Sequence, residues 1–368
     1  MTVNTNFSDA MPIPTRIGRV EVSGVRFLWL LLTVSTGALF VVFRTSFRAD
    51  SPDSIVIREL ALGTAYFLPD ESYRVVSSAY RIAGLANLPI VASLAGYFCT
   101  VICVFAVAKK CQAIPVKTPV FVLHLVTLIL SAIFLGTYSK DVFVLPIVVV
   151  LLYATSKWRG ELLVWAAMMA YAMFFRQYWF FVLGAYVALR FATRAKISLR
   201  RLFLCSCILV IAVGIVISLA QGVPADFFRT KVNLYRVGDA VTLISRFIEL
   251  PEPFGGAVNN LLTLFSLIFP LPLLLLTGPY YVFLSIMILS IWVIFLRGVT
   301  GISTMTERPI LIIRSVCLIF AFTATQAVFE PDYGSALRHL TPLLSLFLLV
   351  VWFGHRISND LIESRPSA

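Results

Sequence analysis

Residues 134–153 read FLGTYSKDVFVLPIVVVLLY, and the reading of this stretch decides the fold. Lys140 and Asp141 stand side by side between two runs that are otherwise almost wholly apolar. Outward from this point the chain keeps the same character. Of its 368 residues 60% are hydrophobic and 13% are charged, with a mean hydropathy of +0.93. That is far more apolar surface than a soluble domain of this length buries, and many runs approach membrane-spanning length. The expected fold class is therefore all-α, a polytopic integral membrane helix bundle in a single transmembrane domain spanning 1–368.

The net charge of +12 raises the question of nucleic acid. The basic residues, however, fall in short clusters between apolar runs instead of one patch, as orientation by the positive-inside rule requires. The charge reads as topology, and no nucleic-acid partner is expected. Cys99, Cys103, Cys111, Cys205, Cys207 and Cys317 lie mostly in or beside apolar runs without zinc or haem spacing, so they read as small buried hydrophobes.

The first apolar run, 27–43, follows Arg16, Arg19 and Arg26 and leads into RTSFR without a small-residue cleavage pattern, so it reads as a retained span after a cytoplasmic tail, 1–26. Alternation of basic clusters then places 44–85 outside, and Lys109, Lys110 and Lys117 inside. Lys157 and Arg159 follow inside, and the strongest inside signal is RFATRAKISLRR at 190–201. Lys140-Asp141 and Arg176-Gln177 fall on the same outer face. The fourth and fifth runs are only about 14 or 15 residues long, short of the roughly 20 needed to cross hydrocarbon, which sets their outer ends in a protein-lined recess. After a seventh span comes a long outer loop, 221–258, and then an apolar block, 259–296, broken by Pro270, Pro272, Gly278 and Pro279. Broken backbone at membrane depth survives only where protein or a water-filled cavity covers it. Counting that block as one crossing, with a broken or re-entrant segment near 259–278, gives about ten transmembrane helices. Both termini are then cytoplasmic, with the tail 355–368 inside.

Three polar motifs converge on the outer face. In SKD, 139–141, Ser139 suits a helix cap, Asp141 the positive helix end and Lys140 a snorkelling position; the functional reading has Asp141 serving a reaction centre and Lys140 meeting an anion. In FFRQY, 174–178, Arg176 sits among aromatic rings. It fits an aromatic belt, or an anion clamp whose guanidinium fork suits phosphate, with Gln177 and Tyr178 beside it and rings to support a prenyl chain or stack on sugar. In EPDYGSALRHL, 330–340, the bland reading is a turn. The functional one uses Glu330 or Asp332 as a base and Arg338 with His339 to grip a diphosphate. His124, inside the third span, reads as a bundle histidine.

No HExxH, Walker loop, GxSxG or paired CxxC motif occurs, nor any soluble nucleotide-sugar signature. Chemistry at the outer surface therefore needs a donor carried across the membrane. A prenyl diphosphate glycan supplies an apolar anchor and an anionic leaving group, which cations stabilise while a carboxylate deprotonates the acceptor hydroxyl.

The order of a short span opening on SKD, then FFRQ, a basic connection, a long outer loop, a proline-broken FPLP block and a terminal RHLTPLL resembles the bacterial Wzy-type polysaccharide polymerases, which share features with C-type glycosyltransferases. The resemblance covers the chain from about residue 120 onward. It implies transfer of a growing undecaprenyl-diphosphate-linked glycan to the non-reducing end of a new lipid-linked repeat unit, at the periplasmic face of the bacterial inner membrane, as in O-antigen, capsule or exopolysaccharide synthesis. The partners it implies are the lipid-linked oligosaccharide, membrane lipid and a chain-length regulator. The family's outer-face arginines point to Arg176 and Arg338, with Arg229, Arg236 and Arg246 in the long loop. Asp50 and Asp53 are separated by two residues instead of the one of a DxD pattern, so neither a metal nor another cofactor is expected. Competing readings are another polyprenyl-phosphate-sugar-dependent C-type glycosyltransferase, an acyltransferase using His124, and a flippase of lipid-linked glycans. The flippase requires cations on both faces or midway along the helices, and related halves; no internal repeat is evident.

Overall fold

The computed structural model describes residues 19–47, 51–65, 70–111, 118–194, 198–235, 241–252, 254–303 and 309–363, with side chains left out at 19–27, 46–47, 235 and 355–363. Among these the chain is helical, and its one β contact is an isolated bridge between Leu243 and Asp332. Most of the two expected tails, together with Asp50 and Arg236, lies outside the described residues.

The helices follow in order. The first is α1 (Arg19–Phe47), then α2 (Pro52–Leu62), α3 (Glu71–Ile82), α4 (Pro89–Cys111) and α5 (Thr118–Phe134). A 3-10 turn, Asp141–Val144, leads into α6 (Leu145–Tyr153), followed by α7 (Trp158–Phe174), α8 (Trp179–Ala192), α9 (Leu199–Gln221) and α10 (Phe227–Tyr235). Next come α11 (Phe254–Ile268), the short α12 (Leu271–Leu274), α13 (Pro279–Ser303), α14 (Ile310–Phe329) and α15 (Tyr333–Leu340). A second 3-10 turn, Thr341–Leu343, leads into α16 (Leu344–Glu363).

Among the described residues, six helical stretches are long and apolar enough to cross a membrane: 28–45, 89–111, 199–221, 279–303, 310–329 and 333–354. Four more apolar helices are shorter: 118–134, 141–153, 179–192 and 254–268. The burial pattern shows what surrounds them. On α9 a single stripe, Leu202, Ser206, Val210, Gly214 and Ile217, is buried, yet Leu204, Ile208, Val216 and Leu219 are exposed on the rest of the same helix. In water each exposed side chain would forgo about 1.5–3 kcal/mol of burial. A helix apolar all round with one face uncovered belongs in lipid. α14 is the opposite case, buried from Arg314 through Val328, and forms the centre of the bundle against α8, α9, α11 and α16.

α13 and α16 run parallel, since Phe295 faces Phe347 and Gly298 meets Val351. A Cβ on Gly354 would come within 2.4 Å of the Gly298 carbonyl oxygen, so these two backbones touch directly. The block 259–296 is broken as its prolines require: α11 ends at Ile268, and α13 starts at Pro279 after Gly278, whose φ of 135° only glycine adopts freely.

The segment 44–85, expected as an outer loop, is largely helical over its described residues. It holds a helical hairpin in which Ser51 caps α2 ahead of Pro52, Asp70 caps α3 by accepting from the Tyr73 amide, and Arg81 donates to the Leu60 and Ala61 carbonyls at the end of α2. The long segment 221–258 likewise contains α10 and the start of α11.

Candidate functional site

Helix ends assemble the site. Asp141 opens the turn into α6, with its amide donating to Ser139 Oγ at 3.1 Å in a local two-residue turn; the N-cap position itself falls on Lys140 and carries no side-chain cap, so Ser139 is not the helix cap expected of it. Arg176 lies in the turn between α7 and α8, Glu330 follows α14, and Arg338 and His339 occupy the last turn of α15. These are the three motifs expected to converge, and they meet. Arg176 Nη2 is 3.0 Å from Asp141 Oδ1, with the two side chains only 12% and 5% exposed. Arg338 Nε lies 3.6 Å from Asp141 Oδ2.

His339 sits under both guanidiniums. Arg176 Nη1 is 2.8 Å and Arg338 Nη2 3.2 Å from its Nε2, while its Nδ1 is 2.5 Å from Glu330 Oε1. Guanidinium only donates, so Nε2 is the acceptor and Nδ1 carries the proton toward the Glu330 carboxylate. Glu330 thereby fixes the imidazole, and the imidazole helps to hold the two arginines. Tyr178 also accepts from Arg176, at 3.5 Å, and its ring stacks on Phe329. Gln177 is exposed on the turn.

The hairpin α2–α3 supplies a layer that the sequence motifs do not signal. Asp53 in the first turn of α2 accepts from Arg338 Nη1 at 2.7 Å and from the Tyr73 hydroxyl at 2.5 Å. Lys140 Nζ stands 3.3 Å from the centre of the Tyr73 ring and donates to Ser72 Oγ at 3.2 Å. Burial works against the charged form of Asp53, but Arg338, the Tyr73 hydroxyl, Lys140 and Arg176 outweigh it and hold its carboxyl at about 2. Burial, reinforced by Arg176 and only partly offset by Asp70, Asp53 and Asp141, pushes Lys140 down to about 8. The sequence weighs Asp53 only for metal spacing; the polar and aromatic mixture of 71–82 is the one local sign that this segment packs against something.

A cavity of about 330 Å³ opens beside this cluster. Four cationic side chains, Arg44, Lys140, Arg176 and Arg338, face it against two carboxylates, Asp53 and Asp141. Such a gathering of guanidinium and ammonium groups in a partly desolvated recess suits a phosphate-bearing anion.

Other candidates lie elsewhere. Arg229 is fully buried, bonded to Thr263 Oγ1, to the Ala327 carbonyl at 3.4 Å and to Asp226 at 3.5 Å. Arg246 makes two bonds to Asp226, at 2.6 and 2.8 Å, and reaches Glu252 at 2.7 Å. Arg229 ties the segment 221–258 to α11 and α14, Arg246 holds the segment to itself, and neither lines the cavity. Asp332 caps α15, accepting from the Ser335 amide at 2.7 Å and from Thr242 Oγ1 at 3.5 Å, which is the turn reading of this residue. His124 bonds Thr33 Oγ1 at 3.0 Å inside the bundle. Cys103, Cys111 and Cys317 are buried, and Cys99, Cys205 and Cys207 are half-buried.

A second ionic cluster marks the opposite ends of the same helices. Glu161 near the start of α7 pairs with Arg190 near the end of α8, accepts from the Tyr186 hydroxyl at 3.0 Å and lies 3.2 Å from buried Arg314 near the start of α14. Arg314 also donates to the Ala154 carbonyl beyond the end of α6. The chain matches no protein-family model, no curated protein and no solved structure.

Proposed function

We propose that this chain is a multi-pass glycosyltransferase of the Wzy-type polymerase kind, acting on lipid-linked repeat units at the periplasmic face of a bacterial inner membrane. The observation that carries the reading is the cavity whose described lining brings Arg44, Lys140, Arg176 and Arg338 together with Asp53 and Asp141. A diphosphate diester carries one negative charge on each phosphate, which a lining rich in guanidinium and ammonium groups suits. Ten crossings with both termini cytoplasmic agree with the two ionic clusters at opposite ends of α6, α7, α8 and α14, and with α11 and α12 as a re-entrant piece before α13.

In the proposed reaction the acceptor hydroxyl of a new repeat unit attacks the anomeric carbon of the growing glycan. The bond from that carbon to the diphosphate oxygen breaks, and prenyl diphosphate leaves with the bonding pair. Arg176 and Arg338 meet the charge developing on the leaving group. As they swing to phosphate, Asp141 is released from its ion pairs and takes the hydroxyl proton. Asp141 is preferred over Glu330 because it lines the cavity, whereas Glu330 is engaged by His339.

A flippase is the second reading, favoured by the cluster of Glu161, Arg190 and Arg314 at the far end of the same helices. Purified protein in proteoliposomes with a lipid-linked repeat unit decides between them. Lengthened glycan supports the polymerase, and unchanged glycan moved across the bilayer supports the flippase.

A further inference from the structure

The three nitrogens of the Arg338 guanidinium each have a different partner. Nε lies 3.6 Å from Asp141 Oδ2, Nη2 3.2 Å from His339 Nε2 and Nη1 2.7 Å from Asp53 Oδ2. Arg176 shares Asp141 and His339 with it, so Asp53 is the anion that sets the two guanidiniums apart and keeps both from crowding the same two acceptors. Asp53 is itself oriented. The Tyr73 hydroxyl donates to its other oxygen at 2.5 Å, and the Tyr73 ring lies under Lys140 Nζ at 3.3 Å. The α2–α3 hairpin that carries this pair is fastened by other contacts. Ser54 Oγ and Thr137 Oγ1 bond at 2.7 Å with both side chains buried, and the Ser139 amide donates to the Tyr80 hydroxyl at 3.2 Å. The contact between Asp53 and Arg338 is thus not what docks the hairpin.

We infer that Asp53, oriented by Tyr73, is a positioning residue that holds Arg338 at rest and yields it to a phosphate oxygen of the substrate. The inference rests on the reading given under Proposed function, in which Arg338 meets the diphosphate. A carboxylate and a phosphate offer a guanidinium the same pair of oxygens, so the two compete for one place. Exposure selects Asp53 as the partner that gives way. Its side chain is 31% exposed and that of Arg338 27%, both at the cavity, whereas Asp141 is 5% exposed. Release also costs Asp53 little, because it keeps the Tyr73 hydroxyl and is not left buried and unpaired when Arg338 turns to phosphate. Removing this carboxylate therefore has two opposite effects. A competing anion is lost, which favours the headgroup, and Arg338 loses the contact that aims it, which disfavours the transfer step.

The test measures two quantities on the full-length protein in lipid bilayers. One is binding of farnesyl diphosphoryl glucose, and the other is lengthening of lipid-linked repeat unit extracted from the producing cells. Asp53→Asn is expected to bind the probe about three- to tenfold more tightly and to transfer about tenfold more slowly. Asp53→Glu, whose carboxylate still reaches Arg338, should recover most of the rate. Tyr73→Phe keeps the charge and loses its orientation, so transfer should slow about threefold with affinity unchanged. In an Arg338→Lys background Asp53→Asn should cost little further rate, because the two residues act as one unit. Glu59→Gln, which removes a carboxylate of the same helix that does not line the cavity, should change neither quantity. Wild-type affinity and rate in Asp53→Asn, or in Tyr73→Phe where only that variant folds, overturn the inference and leave the reaction reading intact. Transfer abolished by Asp53→Asn in both backgrounds makes Asp53 the proton acceptor and overturns its positioning role. A wild type that neither binds the probe nor lengthens the glycan overturns the reaction reading itself.

Discussion

Arg176 Nη1 lies 2.8 Å from Nε2 of His339, a residue 163 positions further along the chain, while another nitrogen of the same guanidinium lies 3.0 Å from Asp141. One planar fork thus bridges a neutral acceptor and an anion, and the anion is almost fully buried. Truncating the fork leaves that carboxylate with poorer compensation, at a cost on the order of 3–5 kcal/mol when a buried pair is broken. Arg176→Ala is therefore expected to melt lower as well as to lose activity. Arg176→Lys should fold but keep only part of the transfer activity, since one ammonium cannot span both partners. Thermal unfolding read beside the product ladder checks this, and wild-type chain lengths in the lysine variant would remove the fork from the mechanism.

The two carboxylates next to His339 have separable roles. Asp141→Asn is expected to bind lipid-linked substrate and fail to transfer it, because the amide keeps the shape but cannot take the proton. Glu330→Gln loses the charge that fixes the imidazole and should lower the transfer rate about tenfold or more through misplaced arginines, with substrate affinity reduced as well. Single-turnover transfer measured beside substrate binding separates the two. A fully active Asp141→Asn with a dead Glu330→Gln would pass the base to the Glu330–His339 pair.

Lys140 gives the site a pH dependence of known sign. Because burial first, and Arg176 next, push its ammonium down to about 8, the cation is present below that pH and lost above it. Headgroup binding should weaken about three- to tenfold between pH 7 and pH 9, and Lys140→Arg should flatten the profile. Stability runs the other way. The folded chain releases this proton more readily than the unfolded chain, so this residue's contribution to unfolding free energy rises between about pH 8 and its ordinary value of 10.5. Binding titrations across that range, with and without the substitution, test both signs.

Arg246 belongs to a structural network. Arg246→Ala leaves Asp226 with only the Arg229 contact at 3.5 Å and should destabilise the protein by about 1–3 kcal/mol, while transfer per folded molecule stays near wild type. A variant that folds as well as the wild type but no longer transfers would return Arg246 to the substrate path.

The topology is open to a direct test at the end of α13. With 259–296 crossing once, a cysteine replacing Ser303 is expected to react with an impermeant thiol reagent only from the cytoplasmic side. Strong labelling from outside would sink the one-crossing reading of 259–296.

The helical, lipid-facing character of the chain was legible in the sequence because it depends on local quantities: apolar runs, short basic clusters between them, and prolines that break α11 from α13 whatever packs around them. The same holds for the gathering of SKD, FFRQY and the Glu330 to His339 segment. All three sit at helix ends, and alternation along the chain brings those ends to one side. Which partner each charged side chain takes is a different kind of question. Arg229, Arg246, Arg176 and Arg338 are chemically alike in the sequence. The first two meet Asp226 within their own segment, Arg229 from only three residues away, while the packing of helices far apart in the chain sends the last two to Asp141 and His339. Asp332 looks like Glu330 on paper, but its own helix start claims it as a cap. Asp53 and Arg44 carry no motif at all and reach the cavity, with Tyr73 bonded to Asp53, because a helical hairpin and the end of α1 fold against α5. A buried charge is held by the geometry and desolvation of its neighbours, and those neighbours exist only in the tertiary structure.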